Sequence, residues 1–348
     1  MKACMVRGAF TFIAVSIVLL TVSPAHAQLG LPSIEKAVSI KFEPLHPGPG
    51  DTVRLDAHSA VLDLSTSEIA WRANGKTIAQ GVGVERVEVN AGSLGKETVI
   101  DVFVLTSGGV AASAEAAIIP TELDLLIDAD SYVPPFYLGR PHVSAGSTLL
   151  LQAVPHFKRP DGTMTKASDV IYTWKKNGEV LGSISGRGRS NARIPIQHLY
   201  GTENISIEAR TSDNLLSNGS SLSISPIQPV LVLYQDHPLY GVLYHQALGV
   251  ASSIAESEAT FAATPYFAGI TGQNDPALTF DWSVNGKTLP QSATRPEAIT
   301  INADNSSGIA VLRLELTHAT NFYMDAKGLW NVTFSTAAVN NQLGVFGL

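Results

Sequence analysis

The sequence contains almost no cysteine: Cys4 is the only one among 348 residues. A disulfide bond within the chain is therefore excluded, and so is a zinc site made of several thiolates. Because Cys4 also precedes the apolar segment near the N-terminus, we expect neither a lipid-modified cysteine nor a catalytic thiol in the exported chain. Each folded unit must depend on its own hydrophobic core, which about 100 residues can supply.

No hydrophobic run is long enough for a typical membrane-spanning helix. The apolar run at residues 9–22 has about 14 residues, whereas about 20 are needed to cross a bilayer. It follows the positive charges of Lys2 and Arg7 and precedes a small-x-small sequence at residues 25–27, an order typical of a secretory signal peptide. We predict that residues 1–27 are cleaved, that the mature chain has no membrane span, and that it is exported to the cell surface, the periplasm or the exterior.

Basic residues are outnumbered as well. The chain has 23 Lys and Arg against 30 Asp and Glu. Loss of residues 1–27 removes two of the basic residues and none of the acidic ones, which leaves a formal charge of −9. Nucleic acids and anionic lipids attract proteins through clustered positive charge. We therefore expect no nucleic acid among the partners.

The familiar catalytic motifs are also missing. The sequence has no Gly-x-Ser-x-Gly elbow, no His-Glu-x-x-His helix, no phosphate-binding Gly-Lys-Ser/Thr loop and no EF-hand spacing. We predict that the protein is not an enzyme and needs no cofactor. A hydrolase with two dispersed carboxylates stays open as an alternative, because such a pair needs no fixed spacing in the sequence.

What the sequence does contain is a repeated motif that includes three of its four tryptophans. The tryptophans of the motif are 103 and 108 residues apart, which is the length of a small domain. This spacing indicates three related domains in tandem. The motif is Trp-x-x-Asn-Gly, and it is formed by Trp71, Asn74 and Gly75, by Trp174, Asn177 and Gly178, and by Trp282, Asn285 and Gly286.

The motif has a structural interpretation. Asn-Gly accepts the positive φ angles of a type I′ turn, which joins two antiparallel strands. Apolar side chains alternate just before each turn, as in a half-buried strand. We therefore predict that the three tryptophans fill domain cores and bind no ligand. The alternating pairs are Ile69 and Trp71, Tyr172 and Trp174, and Phe280 and Trp282.

Short alternating segments surround each motif, with turn signals between them and no sustained helical period. About seven short strands per 100 residues are typical of a two-sheet sandwich. We predict an all-β protein in which three tandem immunoglobulin-like β-sandwich domains follow a cleaved signal peptide. The predicted domains are residues 32–121, 122–227 and 228–348, with short linkers between them.

The three units resemble the Ig-like and PKD-like β-sandwich repeats of exported bacterial surface proteins. Residues 174–179 (WKKNGE) are similar to the strand that carries the buried tryptophan of immunoglobulin domains. The chain departs from both families, because the Ig cysteine pair and the PKD-type Trp-x-Phe-Gly-Asp-Gly run are absent. The resemblance implies a spacer, adhesive or assembly role.

Four acidic residues near the first predicted domain boundary form a weak candidate calcium site: Glu122, Asp124, Asp128 and Asp130. Carboxylates at domain junctions can bind Ca²⁺ and stiffen tandem domains. The corresponding second boundary offers only Asp236. A solvated acidic strand edge is the other interpretation.

The second and third units carry a segment that the first lacks, rich in aromatic residues and proline. It reads YVPPFYLG at residues 132–139 and HPLYGVLY at residues 237–244. Packing over a sheet edge is one interpretation, because proline removes strand hydrogen-bond donors. An exposed surface that binds a partner or stacks on a glycan is the other. The residues of this possible interaction surface are Tyr132, Phe136, Tyr137, Tyr240 and Tyr244.

These observations favour an exported, non-enzymatic structural or interaction protein that presents its modules at or outside the cell envelope. Adhesion or a pilus-like surface assembly would fit such a protein. The alternative is a glycan-binding module or the accessory part of an extracellular enzyme. The partner is accordingly expected to be a protein or a glycan at the cell surface.

Overall fold

The computed structural model describes residues 37–198, 200–290, 292–304 and 308–334. The predicted signal peptide, the first residues of the first predicted domain and residues 335–348 lie outside this range. Within it the structure is built from β-strands and one short 3₁₀ turn at Ala167–Asp169. The prediction of an all-β, immunoglobulin-like fold is confirmed. The domain boundaries stay predictions, and "module" denotes here the strands around one buried cluster.

The first module packs a three-stranded sheet of order β1-β2-β5 against a four-stranded sheet of order β4-β3-β6-β7. All pairs are antiparallel. The strands are β1 (Ser39–Glu43), β2 (Thr52–His58), β3 (Glu68–Ala73), β4 (Lys76–Val82), β5 (Arg86–Asn90), β6 (Thr98–Leu105) and β7 (Ala111–Ile118).

The second module repeats this arrangement. One sheet has the order β13-β9-β8, and the other has the order β11-β10-β14-β15, with β12 paired to β10. The strands are β8 (Glu122–Ala129), β9 (Thr148–His156), β10 (Ile171–Lys176), β11 (Glu179–Val180), β12 (Gly186–Arg187), β13 (Asn191–Pro195), β14 (Glu203–Arg210) and β15 (Ser217–Ile224).

The third module adds two strands to the same plan. Its sheets have the orders β17-β16-β19-β22 and β18-β24-β23-β20-β21, and β18 pairs with β24 in parallel. The strands are β16 (Val230–His237), β17 (Gly241–Ala247), β18 (Ala251–Ile254), β19 (Glu258–Tyr266), β20 (Leu278–Val284), β21 (Lys287–Thr288), β22 (Ala298–Asn302), β23 (Gly308–His318) and β24 (Asp325–Phe334).

Each module has its own buried hydrophobic cluster, fed by alternate residues of both sheets. In β2, for example, Val53, Leu55 and Ala57 are buried while the residues between them face outward. The strict alternation arises because successive side chains of a strand point to opposite faces. It places the apolar sets of the two sheets face to face, and their burial is the main stabilising contribution in each module.

The three motif tryptophans lie in these cores. Trp71 and Trp174 are fully buried and Trp282 nearly so. Each indole N–H donates to a backbone carbonyl of the opposite sheet, just before β5, β13 or β22. The one polar group of the side chain is therefore paired. The three bonds are Trp71 Nε1 to Val84 O at 2.8 Å, Trp174 Nε1 to Arg189 O at 2.9 Å, and Trp282 Nε1 to Pro296 O at 3.0 Å.

The Asn-Gly pairs form the turns that their sequence predicts. The three asparagines have φ angles of 49°, 51° and 49° and the three glycines 77°, 84° and 79°, which are the positive values of a type I′ turn. Each asparagine also accepts a hydrogen bond from a neighbouring strand through its side-chain oxygen. The donors are the backbone N–H groups of Val99, Asn204 and Val311, at 3.0, 2.8 and 2.8 Å. The motif therefore fixes a core, a turn and a strand register together.

Replacement of Trp174 by Phe tests the contribution of the indole. The variant loses the donor to the Arg189 carbonyl and leaves part of the ring space empty. We expect the free energy of unfolding of the second module to fall by about 2 kcal/mol, as measured by denaturant titration. The exposed Tyr200 provides the control, and Tyr200→Phe should leave stability nearly unchanged. Equal stability of Trp174→Phe and the wild type would contradict the assigned role.

Candidate functional site

The aromatic segment of the second module reaches across to the third. It lies in the connection between β8 and β9, and Tyr132 pairs there with Ala268 in an antiparallel bridge. The Tyr132 N–H donates to Ala268 O, and the Phe267 N–H donates to Tyr132 O, both at 2.7 Å. Phe267 adopts a positive φ of 57°, a conformation that costs energy for an aromatic residue and is kept only where its surroundings fix it.

Further hydrogen bonds close the same junction. Asn321, in the connection between β23 and β24, donates through Nδ2 to Gly146 O at 2.8 Å and to Gly269 O at 3.0 Å. The backbones of Gly146 and Gly269 approach so closely that a β-carbon on Gly269 would lie 2.5 Å from the Gly146 oxygen. In the linker, the Ile227 N–H donates to Val143 O at 3.0 Å. The junction therefore has backbone, side-chain and steric components.

Six aromatic side chains form what we call the junction cluster. Phe136 contacts Tyr244 at a ring-centroid distance of 4.4 Å and Tyr234 at 6.3 Å. Tyr137 meets Tyr266 at 5.7 Å and Phe267 at 5.6 Å, both edge to face. Edge-to-face and offset geometries are the favourable ones for aromatic rings. The cluster consists of Phe136 and Tyr137 from the second module and Tyr234, Tyr244, Tyr266 and Phe267 from the third.

Burial raises the pKa of three tyrosines at the junction, Tyr132, Tyr244 and Tyr266. Burial raises the pKa of Tyr266, and the hydroxyl contact with Tyr234 at 2.7 Å raises it further. Burial also raises the pKa of Tyr132 and that of Tyr244, where the negative charges of Asp236 and Glu297 add to the effect. These three hydroxyl groups are therefore uncharged near neutral pH.

The structure separates the five predicted interaction residues into two groups. Tyr132, Phe136, Tyr137 and Tyr244 all lie at the junction of the second and third modules. Tyr240 lies apart at the turn between β16 and β17, where it is 77% exposed and stacks on His237 at 4.7 Å. The first aromatic segment therefore packs on the third module, where Phe136 meets Tyr244 of the second segment. Its other ring contacts are with Tyr234, Tyr266 and Phe267, which lie outside the second segment.

Part of the junction remains open to solvent as a recess of about 630 Å³. Phe136 and Tyr244 are 40% and 39% exposed there. The recess is lined by Tyr132, Pro135, Phe136, Tyr244, Gln273 and Asn274. Gln273 and Asn274 come from the connection between β19 and β20, so both modules contribute. No sequence pattern indicated these two residues or Asn321, because their proximity to the aromatic segment arises only from folding.

Asp275 holds this connection in place. It accepts hydrogen bonds from the Thr271 hydroxyl at 2.7 Å and from the Ala277 N–H at 3.0 Å. The Ala277 and Thr271 hydrogen bonds, with a smaller contribution from His318, lower the pKa of Asp275 to about 2. A carboxylate that accepts several hydrogen bonds in its charged form behaves in this way.

The junction of the first and second modules is built from polar groups instead. The Thr121 hydroxyl donates to Ser217 O at 2.8 Å, and Asn218 Nδ2 donates to Thr121 O at 2.7 Å. Gly95 lies against the second module, where an added β-carbon would stand 2.5 Å from the Lys158 oxygen. Both junctions are thus closely packed, but among the residues that the structure describes only the second has an aromatic cluster.

The four acidic residues of the weak calcium candidate do not come together. Glu122, Asp124 and Asp128 are spread along β8, and Asp130 follows it. Asp124 bonds to His156 at 3.1 Å, and Asp130 accepts from the Thr148 N–H and ion-pairs with Arg193 at 3.4 Å. Across the described residues, no group of three or more potential metal-ligating side chains converges. The calcium site stays a prediction, and the four carboxylates are spread along an extended strand, which separates its residues by about 3.3 Å each.

A second recess of about 830 Å³ lies in the third module and contains several carboxylates. Each one has a partner of its own. Asp236 ion-pairs with Arg295 at 2.6 Å, Glu256 accepts from Gln235 at 2.7 Å, and Glu258 accepts from Asn302 at 2.9 Å. These contacts favour a structural role for the three side chains, since each is held by a neighbour.

The low pKa of Asp275 predicts an acid-sensitive contribution to stability. Its folded pKa lies below the usual 3.8, so the contribution is present above about pH 4 and is lost as the pH falls towards 2. We expect a loss of about 2 kcal/mol over that range, measured by denaturant titration at several pH values. Asp275→Asn should be less stable at pH 7 and lack this part of the pH dependence. An identical pH profile for both proteins would contradict the assignment.

No helix in the described part of the chain is both long and apolar enough to cross a membrane. Comparison with known proteins gave no matching family model and no matching curated protein.

Solved structures of modular β-sandwich proteins are similar to the chain at low identity. Fibronectin(III)-like modules of Clostridium thermocellum CbhA match with 13% identity and a TM-score of 0.26, covering 55% of this chain and 95% of theirs. The central fibronectin-III array of RIM-binding protein matches with 8% identity and a TM-score of 0.30, covering 86% and 96%. A Bacteroides ovatus SGBP-B from a mixed-linkage glucan utilization locus, in complex with a heptasaccharide, matches with 14% identity and a TM-score of 0.21, covering 86% and 70%. At such low scores, the functions of these proteins carry no argument for this chain.

Proposed function

We propose that this protein is an exported, non-enzymatic structural protein that holds tandem β-sandwich modules in a fixed relative orientation and presents binding surfaces outside the cytoplasm. The observation that carries the proposal is the junction of the second and third modules, where the aromatic segments of both meet. Modules that move independently on flexible linkers would lack such a contact. Inter-domain motion is the default unless the interface between the domains is substantial.

The contacts at the second junction are sufficient to hold it closed. Each favourable aromatic pair contributes about 0.5–1.5 kcal/mol beyond its buried area, and each net hydrogen bond contributes about 0.5–1.5 kcal/mol. Three close ring contacts cross the junction: Phe136 with Tyr244, and Tyr137 with both Tyr266 and Phe267. The bridge at Tyr132 adds two backbone hydrogen bonds. Together these contributions reach several kcal/mol.

The short linkers favour the closed arrangement further. β7 ends at Ile118 and β8 begins at Glu122, while β15 ends at Ile224 and β16 begins at Val230. With so few residues between modules, the two faces meet at a high effective concentration. Contacts that would be weak between separate proteins therefore suffice within this chain.

A stiff array places its exposed side chains at fixed positions, which suits contact with a protein or a glycan at the cell surface. Leu138 and Leu239 are prominent among the exposed apolar residues, and Arg72 lies over the exposed Phe103 ring at 4.8 Å. Within an adhesive or pilus-like assembly, such an array would act as a spacer or a subunit. Fractionation of the native host would test the location, and recovery of the mature chain in the cytoplasm would contradict export.

Distance measurement tests the fixed orientation. The predicted mature chain has no native cysteine, so spin labels can be attached at Ser221→Cys on β15 and Arg313→Cys on β23, both exposed. We expect a narrow distance distribution between the labels by pulsed electron paramagnetic resonance. The double variant Phe136→Ala/Tyr137→Ala should broaden it, because it removes the contribution of the second module to the junction cluster.

The matched control is Tyr240→Ala, which removes an exposed aromatic residue of the other aromatic segment, outside the cluster. It should leave the distribution narrow. A broad distribution in the parent protein, or no broadening in the double variant, would contradict the proposed locking role.

A further inference from the structure

We propose that the open recess at the second junction is a binding site for a neutral glycan, with a sugar ring against Phe136 and Tyr244 and its hydroxyl groups at Gln273 and Asn274. The inference rests on the proposed locking of the two modules, because neither module forms the recess alone. It goes beyond that function by assigning a ligand class to one surface of the array.

The aromatic wall provides one half of the recognition. Phe136 and Tyr244 lie at 4.4 Å with planes inclined by 34°, and more than a third of each side chain is exposed. The face of an aromatic ring carries partial negative charge and attracts the weakly positive C–H groups on one face of a pyranose ring. Most of the cluster is covered by packing, whereas this edge is left open to solvent.

The amide side chains provide the other half. Gln273 and Asn274 each carry two N–H donors and a carbonyl acceptor, which match hydroxyl groups that both donate and accept. Within the described residues, neither side chain forms a hydrogen bond with another part of the protein. The Asp275 contacts hold the backbone of this connection, so the two amides are presented from a fixed loop.

The charge of the lining selects among ligands. None of the six lining residues is Asp, Glu, Lys or Arg. The charged groups whose fields reach Tyr244 are Asp236, Glu297 and Arg295, and Arg295 ion-pairs with both carboxylates. Because no described residue that lines the recess is cationic, phosphate groups and acidic sugars find no partner among these side chains. A neutral polyhydroxylated ligand fits this lining better than an anion does.

The size and shape of the recess also point to a small ligand. Its volume of about 630 Å³ falls within the range of about 300–1,000 Å³ for small-molecule sites. The walls come from two connections between strands, β8 to β9 and β19 to β20, and from Tyr244 on the end strand β17. Because residues of both modules form the walls, the ligand binds the closed junction and stabilises it further.

A glycan array tests the proposal. The mature protein is applied to neutral oligosaccharides such as gluco-, xylo- and manno-oligosaccharides, with uronic acid and sulfated oligosaccharides on the same array. We expect binding to one or more neutral oligosaccharides only. Calorimetric titration of the best neutral ligand should then show at least about ten-fold weaker affinity in Gln273→Ala/Asn274→Ala, with Tyr240→Ala unchanged.

The distance measurement between modules, repeated on the same proteins, separates the two proposals. A narrow distribution with no neutral glycan bound would overturn the glycan site alone. Preference for acidic ligands, full affinity in the double amide variant or loss of affinity in Tyr240→Ala would also overturn it. A broad distribution in the parent protein without glycan binding would overturn both.

Discussion

The orientation of the second and third modules depends on one short antiparallel contact. Tyr132 exchanges two backbone hydrogen bonds with the Phe267–Ala268 segment, and this contact places the side chains of both aromatic segments side by side. The positive φ of Phe267 is tolerated because the bridge and the ring contacts fix the residue from both sides. The junction cluster, the open recess and the two hydrogen bonds donated by Asn321 all lie around this contact.

The repeated motif stabilises the fold of each module, whereas the junction is the candidate functional region. Trp174 fills a core and Asn177 stabilises a turn, as their counterparts do in the other modules. The modules differ outside the motif, for example at the residue that follows β9 in the second module and β19 in the third. Phe157 ends the β9 region inside its own core, whereas its counterpart Phe267 faces the preceding module. Function is therefore to be sought where the modules differ.

The sequence predicted the fold class and most strands because alternation and Asn-Gly turns are local properties. It did not predict β1, β17 or β18. No residue of β1 is fully buried, and the other two strands arise within the connection that is peculiar to the third module. The packing and surface interpretations of the aromatic segments also could not be separated, since the partners of Phe136 lie about a hundred residues away. No sequence pattern indicated Asn321 or Gln273, because their roles depend on proximity that arises only on folding. The spacing of the four acidic residues of the calcium hypothesis could not be predicted either, because it depends on the extended conformation of β8.

Amide hydrogen exchange in the mature protein tests the central contact most directly. The N–H groups of Tyr132 and Phe267 are the two donors of the bridge, and neither belongs to a strand of its own module. We expect both amides to be protected from exchange in the parent protein and to lose protection in Phe136→Ala/Tyr137→Ala, while amides within β9 and β19 stay protected. Exchange of Tyr132 and Phe267 at the rate of an exposed loop in the parent protein would contradict this expectation.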